Sequence, residues 1–261
     1  AGSGIGRALA LDLAAKNAAL ALSDIDEAGL AETAARLNGG SSNRLRTDRL
    51  DVSDPLAIEA YAARIRESLG PADYLFNVAG LSRIGRLRNS PLASFERVMD
   101  VNFWSVARMT KAFLPQLLET KGGIVNLSSV FGLVAVPGQA HYCASKFAVR
   151  GFSEAIAAEL KADGVRVTCV HPGGVATNIA RNAEIDALPE GFATKDDVPR
   201  RFKRIAITSA DQAAERIVKG AAKGARRVVI GADARLLSFL QRLFPTRYAV
   251  FVEAMSGKNG H

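Results

Sequence analysis

Three observations predict an α/β fold in one domain, built on a doubly wound, mostly parallel sheet. Short apolar runs bounded by turn residues alternate with segments whose apolar residues recur at helical spacing, from residue 18 to residue 230. Such alternation of strand and helix produces a parallel sheet covered on both faces. The length, 261 residues without an internal repeat or a linker, fits a single large α/β domain. The chain also opens on a glycine-rich turn, Ala1-Gly2-Ser3-Gly4-Ile5-Gly6, that runs directly into a helical pattern.

That pattern covers residues 5–17, with Ile5, Leu9 and Leu13 at i, i+4 spacing. A glycine turn of this kind normally follows a buried strand, which aims it at phosphates. A first strand and the start of the glycine motif are therefore expected ahead of Ala1, with any targeting signal beyond them. Residues 18–23, ending at Asp24, read as a buried strand, 26–38 as a helix and Leu45 to Val52 as a weaker strand. Asp54-Pro55 opens a helix that ends near Gly70-Pro71, and Tyr74 to Val78 is a strand. Ser90 and Pro91 offer an N-cap and a first-turn proline for helical residues 92–119, in one or two pieces. Gly123 to Leu127 is a strand, 140–162 a long helix closed by Gly164, and 165–170 a strand. An irregular stretch, 172–208, precedes a helix at 210–223, a last strand from Arg227 to Ile230, and an amphipathic helix at 233–244.

Composition narrows the function classes. Hydrophobic residues at 48% and charged residues at 23% exclude collagen-like, disordered and coiled-coil chains. The apolar runs are too short and too often broken by charge to span a membrane. Two cysteines, Cys143 and Cys169, are too few for a disulfide framework or a thiolate metal site, so a reducing, cytoplasmic setting is expected. The net charge of +8 lies wholly in residues 195–261, which hold 14 basic and 6 acidic residues. Basic residues interleaved with stacking aromatics are lacking there, and no nucleic-acid partner is expected.

The chemistry-bearing residues sit in the middle of the chain. Tyr142 and Lys146 are four apart in a helical segment and share a face. A phenol with a pKa of about 10 is a poor base at neutral pH, and an adjacent ammonium lowers that value by stabilising the phenolate. Ser129, thirteen residues before Tyr142, follows the strand Gly123 to Leu127, at the sheet edge where ligands of α/β folds bind. Ser129 could then hydrogen-bond a substrate oxygen that Tyr142 protonates or deprotonates. Asp24 ends a strand 20 residues after Gly4, the place where a Rossmann-type dinucleotide fold sets an acid on the adenosine ribose. Ser3 and Ile25 bring no positive charge for a 2′-phosphate, which favours NAD over NADP.

In these motifs the sequence resembles the short-chain dehydrogenase/reductases, in their simple one-domain branch, from residue 1 to about residue 231. Gly4-Ile5-Gly6 resembles the end of the cofactor-binding glycine motif, and Asp51-Val52 is similar to the pair that contacts adenine. Asn77-Val78-Ala79-Gly80 resembles the Asn-Asn-Ala-Gly motif, with Val78 in place of the second Asn. Asn102, Ser129, Tyr142 and Lys146 occupy the tetrad positions, at the spacing of carbonyl and alcohol enzymes. Pro172, Gly173, Val175 and Thr177 resemble the segment that holds the nicotinamide carboxamide. The resemblance implies an oxidoreductase that passes a hydride between a nicotinamide cofactor and a hydrophobic alcohol or ketone. Tyr142 would be the acid/base, Ser129 the positioner, Lys146 the ribose ligand and Asn102 the holder of a water on the proton path. It also implies a homodimer or homotetramer, with helices 92–119 and 140–162 pairing and Phe147, Phe152 and Ile156 as candidate interface residues.

Other readings compete. A non-catalytic dinucleotide sensor has no need of Ser129, Tyr142 and Lys146 together. A membrane-surface dehydrogenase of lipid, retinoid or steroid type is raised by the basic last quarter and by the 233–244 helix, where Leu236, Leu237, Leu240, Leu243 and Phe244 share a stripe beside Arg235 and Arg242. The expectation for that helix is packing on its own domain or on a partner subunit. Residues 178–208 are expected to form a substrate lid. Ile179, Ile185, Leu188, Phe192 and Phe202 would face an apolar substrate, while Lys195, Arg200, Arg201, Lys203 and Arg204 would greet an anionic group. No metal site is expected, so His141, Cys143 and His171 read as packing residues, Trp104 as helix packing, and Arg83, Arg86 and Arg88 as solvated.

Overall fold

The structure is a computed structural model and describes residues 1–37, 44–188 and 194–250. Helix α1 (Gly4–Ala14) leads to strand β1 (Leu20–Asp24), helix α2 (Glu27–Leu37), strand β2 (Leu45–Arg49) and helix α3 (Pro55–Leu69). Strand β3 (Tyr74–Asn77) and the two-residue strand β4 (Arg83–Ile84) precede helices α4 (Leu92–Met99) and α5 (Ser105–Thr120). Strand β5 (Gly123–Leu127), helix α6 (Ala140–Glu159) and strand β6 (Arg166–Pro172) follow. The chain continues through β7 (Glu184–Ile185), α7 (Asp197–Ile205), α8 (Ala210–Ala222), β8 (Arg227–Ile230) and α9 (Ala232–Leu243).

Every ladder among the described residues is parallel. Four strands pair in the order β3-β5-β6-β8, and β1 pairs with β2 from Leu20–Leu45 to Asp24–Arg49. Among the described residues no ladder joins β1 to β3. The four-stranded sheet is covered on both faces, as parallel sheets require. Ile58, Tyr61, Ile65, Phe113, Leu117, Ile124 and Val167 pack α3, α5 and α6 on one side. Ile5, Leu9, Val125, Val170, Ile217 and Ile230 pack α1 and α8 on the other. Strand β5, buried from Gly123 to Asn126, lies between these cores. Parallel strands bring their carboxyl ends to one rim, so Asp24, Gly80, Ser129 and Pro172 all come from strand ends on the same side.

Several boundaries differ from expectation. Strand β2 ends at Arg49 instead of Val52, because Asp51 turns back to accept the Ser53 N–H and hydroxyl. Ser90 is no cap: α4 begins at Leu92 with Pro91 in the cap position and without a side-chain cap. Helix α6 stops at Glu159, before a turn that reaches Gly164 at φ +80°. The stretch 172–208 is not wholly irregular. Strand β7 pairs with β4, and α7 packs Val198 inward while Arg200, Arg201 and Lys203 are exposed. Residues 92–120 are helical throughout, interrupted by one π-helical turn, Asp100–Trp104. Trp104 does not pack inside; it is exposed and lies against Phe103. Phe192 and residues 189–193 of the expected lid, Asn38 and the side chain of Arg204 lie outside the described residues. Among the described residues no helix is long and apolar enough to cross a membrane.

Candidate active site

The site is assembled around the carboxyl end of β5. Ser129 follows the strand, and its hydroxyl accepts the Phe131 N–H at 3.1 Å, starting a short 3₁₀ turn. Its carbonyl receives a hydrogen bond from His171 Nδ1 at 3.0 Å. A carbonyl only accepts, so His171 carries its proton on Nδ1, and a residue read as packing fixes the backbone of Ser129. Tyr142 stands in the first turn of α6, where its free N–H is capped by His141 Nδ1 at 2.9 Å. The Tyr142 hydroxyl hydrogen-bonds to Ser129, and its ring meets Phe131 edge-on at 6.3 Å between centroids. One helical turn on, Lys146 Nζ lies 5.6 Å from the Tyr142 ring centroid and donates to the Leu127 carbonyl at 2.9 Å.

Electrostatics here run differently from expectation. Burial pushes the Tyr142 phenol up to about 12, against the opposing pull of its bond to Ser129. Burial likewise loosens the Lys146 proton, to about 8. The expected depression of the phenol by the ammonium is not seen; desolvation, which disfavours both charged forms, sets both directions.

Asn102 reaches the site through the π-helical turn. Its amide clamps the Leu81 backbone in both directions, at 2.8 and 3.0 Å, and donates to Ser145 Oγ at 3.0 Å. A side chain at Gly80 would place its Cβ 3.2 Å from Asn102 Oδ1 and 3.4 Å from Lys146 Nζ. Gly80 is therefore the position where backbone, amide and ammonium close together, and Ala79 and Gly80 are open to solvent. Asn77 acts at one remove: its amide donates to Asn126 at 2.9 Å and to Thr110 at 3.3 Å in a buried network that ties β3 to β5 and α5.

The glycine turn lies on the same rim. Gly4 sits at φ +53°, and a Cβ there would meet the Thr177 methyl at 3.2 Å, so the 172–177 segment closes directly on the turn. Ser3 precedes α1 without a capping bond, which leaves first-turn N–H groups for an anion. Ile5 and Val175 belong to the core and hold the two loops together. A Cβ on Gly6 would stand 3.2 Å from Ala1 Cα. The Asp24 carboxylate accepts from Ala1 N at 2.9 Å, Gly2 N at 2.7 Å and Asp26 N at 3.0 Å. The Asp51 carboxyl is held below the usual range by its bonds to Ser53, and Val52 packs on the core beside it. Gly173 donates to the Ile230 carbonyl at 2.8 Å and Gly174 to Asp233 at 2.7 Å. Phosphate-facing N–H groups, a carboxylate for ribose hydroxyls and open backbone at Ala79–Gly80 fit a nicotinamide dinucleotide.

Three residues were not legible as site partners. Asp233 anchors the Pro172–Thr177 segment from the first turn of α9, and its signal is an acid just after the Gly231 turn. Arg83 is not solvated; it pairs with Glu184 at 2.8 Å and Asp186 at 2.9 Å, joining β4 to β7. Asp186 also accepts from Ser94 at 3.0 Å and faces His141 Nε2 at 3.9 Å. Ile185 lies in β7 opposite Ile84, whereas Leu188 is exposed.

A parallel sheet with a glycine turn at a helix start, and Ser, Tyr and Lys at the end of the central strand, defines a nucleotide-dependent oxidoreductase site. The family model for short chain dehydrogenase matches residues 1–187, and the chain belongs to the short-chain dehydrogenase/reductase family of oxidoreductases, which use nicotinamide cofactors. It is 45% identical over 257 residues to the putative oxidoreductase SadH of Mycobacterium tuberculosis, covering 97% of this chain and 92% of that protein. Among solved structures it is similar to a short-chain dehydrogenase/reductase from Burkholderia phymatum in complex with NAD (TM-score 0.81, 29% identity, 93% and 92% of the two chains). It is also similar to an alcohol dehydrogenase from Thermococcus sibiricus complexed with 5-hydroxy-NADP (TM-score 0.75, 26% identity, 88% and 92%).

Proposed function

We propose that this chain is an NAD-dependent oxidoreductase that interconverts a hydrophobic alcohol and its ketone. The observation that carries this reading is the convergence of Ser129, Tyr142 and Lys146 beside open backbone at Ala79–Gly80. When bound, the nicotinamide supplies or accepts the hydride. Ser129 Oγ orients the substrate oxygen, and Tyr142 Oη moves a proton to or from it. Because burial keeps the phenol protonated at neutral pH, Tyr142 starts as an acid, which suits carbonyl reduction. In the other direction the Lys146 ammonium favours the phenolate, and its remaining donors suit ribose hydroxyls. Phe131 against the Tyr142 ring, with Val130 and Val134 buried beside it in the chain, supports an apolar substrate.

The preference for NAD rests on charge. Asp24 would face a 2′-phosphate, and neither Arg7 nor Arg46 is free to compensate. Arg7 binds Glu32, Thr33 and the Gly2 and Gly29 carbonyls, and Arg46 is paired with Asp48 at 2.8 Å. A like-charge contact of about 1–3 kcal/mol gives NAD roughly a tenfold to hundredfold advantage in kcat/KM. Assaying the purified protein against alcohols and ketones with NAD(H) and NADP(H) tests both parts. Turnover that prefers NADP rejects the cofactor assignment, and absence of turnover across the panel rejects the substrate class.

A further inference from the structure

Helix α9 is anchored on one side only. Ala234 enters a small core with Val130, and Leu237 packs on its margin, while Asp233 holds Gly174. These contacts fix the helix beside the turn that carries Ser129. The helical repeat then sends Leu236, Phe239 and Leu243, at i, i+3 and i+7, to the opposite side. They are 50%, 59% and 55% exposed, and Phe244 and Val250 continue the exposed apolar surface. Arg235 and Arg242, seven residues apart, run along one flank of this stripe, and Arg247 follows it. None of the three forms an ion pair among the described residues.

We propose that this outward face of α9 docks on an anionic lipid surface, with Leu236, Phe239 and Leu243 in the acyl boundary and Arg235, Arg242 and Arg247 on the headgroups. Charge selects this occupant. Pairing of α9 with α9 of a second copy would bring two sets of unpaired arginines together, in a segment that already holds 14 basic against 6 acidic residues. A convex row of Leu and Phe needs no shaped groove opposite it, and an anionic bilayer offers negative charge and an apolar interior in the right order. The docked helix packs on the Ser129 turn through its other face, so docking would bring the active-site rim close to a lipid surface that holds a dissolved alcohol or ketone. That consequence rests on the proposed substrate class; the docking does not.

Co-sedimentation of the full chain with vesicles tests the docking without reference to activity. Vesicles of phosphatidylcholine with a third phosphatidylglycerol are compared with phosphatidylcholine alone, at low and high salt. Binding to the anionic vesicles should exceed binding to the neutral ones by about tenfold at low salt and collapse at high salt. The triple variant Leu236→Ser, Phe239→Ser, Leu243→Ser and the double variant Arg235→Glu, Arg242→Glu should each lose about tenfold in binding with an unchanged Tm. No binding at low salt, equal binding to both vesicles, or wild-type binding by both variants overturns the proposal. Self-association that the triple variant abolishes, without vesicle binding, would assign the face to a second copy instead.

Discussion

Tyr142 and Lys146 both sit where water is excluded, and their proton affinities move apart as a result, the phenol up to about 12 and the ammonium down to about 8. Each charged form is penalised until a ligand supplies what water no longer does. Replacing Tyr142 with Phe removes the transferable proton and leaves the ring against Phe131. The variant should keep cofactor binding, read by quenching of cofactor fluorescence, and lose at least the roughly 10²-fold in kcat typical of general acid–base catalysis. Wild-type turnover in Tyr142→Phe would remove Tyr142 from the mechanism. The Tyr–Lys spacing was readable from the sequence because four residues make one helical turn. The burial that reverses the expected direction of the phenol shift was not, since it is set by residues from other elements.

At the scale of elements, two irregular pieces build the site. The π-helical turn between α4 and α5 rotates Asn102 inward onto Leu81 and Ser145, a use of π turns common at functional sites. The β4–β7 ladder holds the segment before α7 onto the body of the fold, with Asp186 as its latch. Burial would raise the Asp186 carboxyl, but bonds from Ser90, Ser94 and Arg83 hold it below the usual range. Asp186→Ala should therefore destabilise this segment by roughly 1–3 kcal/mol, less than a fully buried pair because Glu184 remains as a partner for Arg83. Amide exchange at 184–187 should speed up by about tenfold to a hundredfold. Unchanged protection there would show that the ion pair contributes nothing to the latch.

For the whole molecule, the buried histidines favour the folded chain at neutral pH over acid. Burial lowers His171 to about 4, well under its ordinary 6.5, and His141 is lowered for the same reason. The unfolded chain binds these protons more readily, so stability is full above pH 6.5 and declines as pH falls toward 4. Urea unfolding should show a loss of roughly 2–3 kcal/mol from His171 between pH 7 and pH 4.5. A His171→Asn variant should be less stable at pH 7 and show a flatter pH profile, and an equally steep one would exclude His171 as the source. Phe147, exposed on α6, with Phe152 and Ile156 half-buried on the same helix, is expected to mark the face that pairs with a second copy. Sedimentation at micromolar concentration should then give at least twice the 27.6 kDa chain mass, and a monomer would rule this face out as a stable interface.

The sequence by itself determined the layer order, the strands β5 and β8 to the residue, the chain positions of Ser129, Tyr142 and Lys146, and the acid at Asp24. Those features are local: apolar runs, helical spacing and glycine turns are written in neighbouring residues. Tertiary structure alone decided the π turn that aims Asn102, the bond from His171 to Ser129, the Asp233 anchor on Gly174, and the Arg83–Asp186 latch. Each joins residues between 42 and 103 positions apart, except the π turn, whose register is set by what Asn102 must reach across the fold. It also split the α9 stripe into a packed face and an exposed one, because only the placement of Ala234 and Asp233 against the Ser129 turn and the Gly174 backbone says which side of that helix is inside.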